Sequence, residues 1–102
     1  MAARYEITPE AKQDIRGIWL YTEEQWGERQ ADRYTGLLER CMDRIARRRL
    51  VPRRFSAQYP EVLVSRYNYL FYLHPEGECP IIFAVLHENM DLLSRLAARL
   101  TP

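Results

Sequence analysis

Residues 80–91 read PIIFAVLHENMD, and this stretch carries the strongest structural signal in the chain. Its first seven residues form an unbroken apolar run, which predicts a strand buried on both faces of a sheet. The five residues after Leu86 then bring a histidine, two carboxylates and an amide to the end of that strand. Such a group is either a functional site or a capped turn, and the sequence alone leaves both interpretations open.

Two helical patterns precede this strand. Residues 5–7 alternate as a short strand, and Thr8 and Pro9 then provide an N-cap and a first helical residue. Apolar residues recur at three- and four-residue steps as far as Trp26, where a glycine ends the helix. A second apolar stripe occupies residues 28–45. The short turn between the two stripes predicts an antiparallel helical hairpin.

The second half of the chain predicts three strands and a helix. The strands are residues 62–67, 69–73 and 80–86, with Asn68 as a tight-turn or bulge residue between the first two. The last helix is amphipathic and begins near Leu92. We expect Asn89 to cap that helix and Asp91 to lie in its first turn, where a carboxylate is favoured by the helix dipole.

The element order is therefore β-α-α-β-β-β-α. This order predicts an α+β fold in which the helical hairpin packs on a small, mainly antiparallel sheet and a short helix ends the chain. No low-complexity linker divides the sequence, and 47% of the residues are hydrophobic. A single domain over residues 1–102 is expected.

The composition indicates a reduced, soluble environment. The two cysteines, Cys41 and Cys79, do not form the framework of a small secreted domain. The N-terminus lacks an apolar signal region, and no apolar run approaches the roughly 20 residues of a membrane span. We expect a cytoplasmic protein that neither enters a membrane nor carries a cofactor.

The residues after the central strand do not satisfy the requirements of a metal site. A helix-borne zinc site needs two histidines four residues apart, whereas here Asp91 stands at the fourth position after His87. Histidine is a residue type suited to acid–base catalysis, and Arg66 on a neighbouring strand is the obvious partner for His87. A hydrogen-bonded histidine at the end of a strand explains the same pattern.

Charge is distributed unevenly along the chain. Residues 40–54 hold seven basic residues and one acidic residue, although the net charge of the whole chain is only +1. A solvated helix end explains such a cluster, and so does a surface for acidic protein side chains or phosphates. The only nearby aromatics are Phe55 and Tyr59, which makes a protein partner at least as plausible as a nucleic acid. The tryptophans, Trp19 and Trp26, are expected to pack in the core or the hairpin.

Several strings in the sequence resemble the ParE branch of the RelE/ParE toxin superfamily. Residues 86–92, LHENMDL, are close to the family's Leu-His-Glu-Arg-Met-Asp string, and Arg95-Leu96 follows it. The segment 69–72 and the first helix, with its terminal Trp26-Gly27, complete the resemblance. It covers nearly the whole chain, and one departure is Asn89 in place of the family's arginine.

The resemblance implies the toxin of a type II toxin–antitoxin pair, without enzymatic activity. Such a toxin binds DNA gyrase and stabilises its cleaved-DNA complex, so that DNA is contacted only through gyrase or the antitoxin. A ParD-like ribbon-helix-helix antitoxin neutralises it in a hetero-oligomer. We expect no catalytic residue and no metal ligand, and we expect partner contacts at nine residues. These are Arg47, Arg48, Arg53, Arg54, Arg66, His87, Glu88, Asp91 and Arg95.

Two alternatives remain open. RelE-type relatives are ribosome-dependent mRNA endonucleases that use basic residues on the sheet and a C-terminal tyrosine or histidine. This chain departs from that pattern, because its strands offer Arg66 alone and its last helix holds neither residue type. The other alternative is an antitoxin-binding module with weak toxicity.

Overall fold

The elements of the protein follow one another in the predicted order. The computed structural model describes residues 4–47, 62–64, 68–87 and 91–100. The strands and helices are β1 (Glu6–Ile7), α1 (Pro9–Trp26), α2 (Glu28–Arg47), β2 (Val62–Val64), β3 (Asn68–Leu73), β4 (Ile81–His87) and α3 (Leu92–Leu100). The predicted α+β class is confirmed. None of the helices in the described ranges has the length and apolarity that crossing a membrane requires.

Local sequence explains both ends of α1. The hydroxyl oxygen of Thr8 accepts a hydrogen bond from the backbone N–H of Ala11 at 3.2 Å, and Pro9 occupies the first helical position. Gly27 ends the helix with a φ of 92°, a backbone conformation that glycine adopts without a steric penalty. The next residue, Glu28, already begins α2, so the two helices form the predicted hairpin.

The sheet has four strands in the order β1-β4-β3-β2. β4 pairs antiparallel with β3 and parallel with the two-residue strand β1, so the strand predicted to be buried is an inner strand. Its five central residues are all buried, which confirms the interpretation of the apolar run. The predicted mainly antiparallel sheet is also confirmed, because β2 and β3 pair antiparallel as well.

A bulge in β4 sets which residues face each side of the sheet. Phe71 of β3 lies opposite Ala84, whereas the next residue, Tyr72, lies opposite Ile82. Phe83 is therefore an extra residue in β4, and it breaks the strict alternation of side chains. Two consecutive residues, Phe83 and Ala84, consequently pack on the same side of the sheet.

The bulged sheet separates two apolar clusters. One cluster packs the helical hairpin on the sheet, with Leu38 and Ile45 of α2 against Leu70 and Ile82. The other packs α3 on the opposite face, where Leu96 belongs to the same cluster as the sheet aromatics. Each layer excludes water from one face of β4, and this explains why the strand carries no polar side chain before its last residue.

Two sequence-based predictions about single residues are wrong, and a third prediction concerns residues that the structure does not describe. Asn68 was predicted as a turn or bulge residue, which is wrong, because it is the first residue of β3 and only 2% exposed. The hydroxyl group of Tyr34 donates a hydrogen bond to its amide oxygen, which makes the burial of an asparagine tolerable. Trp26 was expected to be packed, which is also wrong, since its side chain is 66% exposed. The connection over residues 52–61 lies outside the described residues.

Candidate functional site

Polar side chains gather where β3 begins and β4 ends. His87 is half-buried and lies directly opposite Asn68 in the antiparallel ladder, so the two side chains share one face of the sheet. The hydrogen bond from Tyr34 identifies that face as the one covered by α2. The side-chain nitrogen of Asn68 is buried and has no hydrogen-bond partner among the described residues, which is a costly arrangement for an amide donor. The histidine therefore belongs to a polar group at the rim of the core.

Asp91 caps the N-terminus of α3. Its carboxylate accepts hydrogen bonds from the backbone N–H of Ser94 at 3.3 Å and from the hydroxyl group of Ser94 at 2.8 Å. Its carbonyl accepts the first helical bond, from the N–H of Arg95 at 3.1 Å. The prediction that Asp91 lies in the first turn is therefore wrong, because a residue with these bonds is the cap itself, two positions after the predicted cap. Asn89, the predicted cap, lies outside the described residues.

The Ser94 hydrogen bonds hold the pKa of Asp91 below its usual range. The cap therefore stabilises the fold above the ordinary carboxyl pKa, and this contribution disappears as the pH falls through the lowered value. We expect Asp91→Ala to lower the melting temperature by a few degrees at pH 7 and by less at pH 3, whereas Asp91→Ser keeps most of the stability. Thermal unfolding followed by circular dichroism measures this. An equal loss for both variants at both pH values would exclude the capping role.

An ion pair between α1 and α3 closes the open edge of β4. β1 accompanies β4 only as far as Ile82, and in the part of the chain that the structure describes no strand pairs with the rest of β4 on this side. Here the carboxylate of Asp14 accepts the N–H of Val85 at 3.0 Å, and the guanidinium of Arg99 donates to the carbonyl of Phe83 at 3.0 Å. The two side chains thus replace the missing strand residue.

The two charged groups also pair with each other. The two terminal nitrogens of Arg99 reach the two carboxylate oxygens of Asp14 at 2.8 and 2.7 Å, which is the bidentate geometry that favours arginine. The carboxylate raises the pKa of Arg99 above its ordinary value, so the guanidinium stays charged. Sequence analysis missed this pair, because its members stand 85 residues apart and neither belongs to a motif. The pair fixes α3 to α1 across the edge of the sheet.

A shallow groove of about 470 Å³ runs along the outer side of the helical hairpin. Its lining combines apolar, aromatic and charged side chains of both helices: Ile15, Arg16, Trp19, Leu20, Thr35 and Glu39. The indole N–H of Trp19 donates to Asp32 at 2.9 Å and ties α1 to α2, which confirms the expected packing of this tryptophan in the hairpin. Leu20, which lines the groove, is 49% exposed. This surface offers a binding face for another macromolecule.

The nine predicted contact residues fall into three groups. His87, Asp91 and Arg95 lie on either side of the segment that joins β4 to α3, so the structure brings them to one end of the sheet. Arg47 ends α2 and pairs with Asp43 at 2.8 Å, in an exposed bond that contributes little to stability. The remaining five lie outside the described residues and stay predictions: Arg48, Arg53, Arg54, Arg66 and Glu88.

The described residues contain neither a cluster that could hold a metal ion nor a disulfide. Within residues 4–47, 62–64, 68–87 and 91–100, no three histidine, cysteine or acidic side chains gather in a way that could hold a metal ion. Cys41 and Cys79 are both half-buried free thiols.

Comparisons with known proteins converge on one family. The family model described as "ParE toxin of type II toxin-antitoxin system, parDE" matches residues 5–92. The toxin ParE of Escherichia coli is 40% identical over 98 residues, which cover 94% of this chain and 95% of that protein. Toxin ParE1 of Mycobacterium tuberculosis is 27% identical over 95 residues, covering 90% and 96%. Among solved structures, the chromosomal ParDE toxin–antitoxin system of P. aeruginosa matches with a TM-score of 0.71 at 12% identity, covering 84% of this chain and 96% of that one. This last likeness concerns the fold alone.

Proposed function

Because this chain belongs to the ParE family of type II toxins, we propose that it inhibits DNA gyrase by stabilising the complex in which gyrase has cleaved DNA. The observation that carries the proposal is the 40% identity to the E. coli toxin over 94% of the chain. A match of that extent includes both helices of the hairpin and the whole sheet. The proposal places the protein in the cytoplasm, where gyrase acts.

The proposed mode of action is binding without catalysis. A toxin that stabilises a cleaved-DNA complex needs a surface that fits the complex better than it fits free gyrase, because a ligand shifts an equilibrium only through its differential affinity for the two states. The outer side of the hairpin supports such a role. Its groove is lined by Arg16 and Trp19 among other residues, and interface centres are enriched in arginine and aromatic side chains.

The proposed regulator is a ParD-like antitoxin of the ribbon-helix-helix class. The solved structure with the same fold is described as a ParDE toxin–antitoxin system, which supports a partner of this kind. A segment that folds on binding needs an apolar groove with charged residues at its rim. The hairpin groove has that composition, since Ile15 and Trp19 share its lining with Arg16 and Glu39.

A supercoiling assay tests the proposal. Purified toxin at a stoichiometric ratio is expected to prevent gyrase from supercoiling relaxed plasmid, and the product of the adjacent antitoxin gene is expected to restore activity when it is added first. Full supercoiling at excess toxin would contradict gyrase inhibition. A parallel arm with translating ribosomes distinguishes the RelE-type activity, since toxin-dependent cleavage of ribosome-bound mRNA would replace the proposal by the endonuclease alternative.

A further inference from the structure

Four arginines form a continuous row along α2. At 3.6 residues per turn, Arg29, Arg33, Arg40 and Arg44 fall within an arc of about 60° and extend over about 22 Å of the helix. All four side chains are exposed. We call this set the arginine row. The row lies away from the buried face of α2, which consists of Ala31, Leu38, Met42 and Ile45, and it therefore faces solvent.

The arginine row is electrostatically available. Within the described residues, none of its four guanidinium groups forms an ion pair, whereas the neighbouring Arg47 pairs with Asp43. The acidic residues of α2 lie together on an adjacent face, about 100° around the helix from the centre of the row. One of them, Asp32, is already engaged by the indole of Trp19. Exposed arginines that form no ion pair within the described residues are available to an anionic partner with the same spacing.

An exposed apolar side chain borders the row. Leu37 is 42% exposed and lies about 20° beyond Arg44 on the helix surface. Phosphate groups gain nothing from a leucine, whereas a protein helix can bury it beneath an apolar side chain of its own. The combination of one apolar anchor and a line of cations is typical of a surface that binds an amphipathic acidic helix.

We propose that the arginine row binds an acidic amphipathic α-helix of the antitoxin, lying lengthwise along α2. Its carboxylates repeat at the spacing of Arg29, Arg33, Arg40 and Arg44, and an apolar residue covers Leu37. The inference rests on the proposed function, because it assigns the antitoxin to a surface. Duplex DNA is the less suitable occupant. A helix about 10 Å wide covers the row alone, whereas the wider duplex also meets the acidic face of Glu28, Asp32, Glu39 and Asp43.

A synthetic peptide tests the surface directly. The probe is a capped 20-residue alanine-rich helix with four glutamates at the spacing of the row and leucines beside them, and the control peptide has the same composition with the glutamates spread around the helix. Fluorescence anisotropy is expected to show binding of the probe. Arg33→Gln with Arg40→Gln is expected to weaken it about tenfold. The matched control, Arg4→Gln with Lys12→Gln, removes two exposed charges elsewhere and is expected to change the affinity less than about twofold.

A charge exchange completes the test. Arg33→Glu with Arg40→Glu is expected to abolish binding of the acidic probe, and a peptide with lysines in place of the glutamates is expected to bind this variant. The proposal would be overturned if the probe peptide bound the Arg33→Gln, Arg40→Gln variant as tightly as it binds the control variant with Arg4→Gln and Lys12→Gln. It would also be overturned by a 20-base-pair duplex that binds more tightly than the probe and loses affinity in the Arg33 and Arg40 variants, since this result would assign the row to nucleic acid.

The full antitoxin separates this inference from the proposed function. If the variant with Arg33→Gln and Arg40→Gln binds the product of the adjacent antitoxin gene as tightly as the wild type does, the arginine row is not the binding site of the antitoxin. That result leaves the proposal of gyrase inhibition intact. If the wild-type toxin leaves gyrase active, the proposed function fails whatever the peptide does. Melting temperatures of all variants, which are expected to match the wild type because the substituted side chains are exposed, confirm that each variant is folded.

Discussion

Asp14→Ala is expected to destabilise the protein by about 3 kcal/mol. The substitution leaves the guanidinium of Arg99, only 20% exposed, without its carboxylate. It also leaves the N–H of Val85 at the open edge of β4 without the acceptor that now lies 3.0 Å away. Both groups lose interactions that water at a largely buried site replaces poorly. Urea unfolding at pH 7 measures the change in the free energy of unfolding.

A double-mutant cycle separates the pair from its surroundings. Arg99→Met keeps the packing of the side-chain stem and is expected to cost about 2 kcal/mol, because Asp14 keeps its bond to Val85. In the double variant, the loss of unfolding free energy is expected to be smaller than the sum of the two single losses by more than about 1 kcal/mol. The exposed pair of Arg47 and Asp43, with side chains 40% and 45% exposed, is the matched control and is expected to couple by about 0.5 kcal/mol or less. Strictly additive effects of Asp14→Ala and Arg99→Met would show that the pair does not hold α3 in place.

Phe71→Ala is expected to cost about 3–5 kcal/mol, which is a large part of the stability of a domain of this size. Phe71 is fully buried on the face of the sheet that carries α3, and its ring centre lies 6.4 Å from that of Phe83 and 6.1 Å from that of Tyr69. Truncation leaves a cavity between the sheet and α3. The nine-residue helix α3 can fill this cavity only by shifting its position. The proteolytic sensitivity of α3 is therefore expected to rise together with the loss of unfolding free energy.

Leu73→Ala is the control for Phe71→Ala. Leu73 belongs to the same strand but is 37% exposed, so its truncation is expected to cost less than about 1 kcal/mol and to leave α3 protected. If Phe71→Ala unfolds the protein completely, Phe71→Leu, with a smaller loss of volume, provides the measurable variant. Equal stabilities of the Phe71→Ala and Leu73→Ala proteins would contradict the assignment of a packed layer between the sheet and α3.

The regular part of the fold could be predicted because local patterns determine it. Thr8 and Pro9 fix the start of α1, Gly27 fixes its end, and the unbroken apolar run identifies β4 as an inner strand. Asn68 was misassigned because asparagine is common in turns, and sequence cannot show that the hydroxyl group of Tyr34 bonds its amide oxygen inside the sheet. Trp26 continues the helical stripe of α1, yet it is the last residue of the helix and its ring is exposed.

The candidate site was only partly predictable. The helix that follows the central strand was expected, although its cap is Asp91 and not the predicted Asn89. The pair of Asp14 and Arg99 depends on the short length of β1 and on the direction of α3, and neither is a local property of the sequence. The arginine row extends the predicted basic cluster towards the start of α2. Arg29 and Arg33 were missed because they are dispersed in sequence and align only on a helix.

The most direct test of gyrase inhibition measures DNA cleavage itself. Gyrase and supercoiled plasmid are incubated with ATP and increasing toxin, the reaction is stopped with detergent and protease, and linear DNA is quantified. Linear DNA is expected to accumulate with toxin up to a stoichiometric ratio and to remain at background when the antitoxin is added first. Background linear DNA at excess toxin, in a preparation whose melting curve shows a folded protein, would contradict the proposal that this toxin stabilises the cleaved-DNA complex of gyrase.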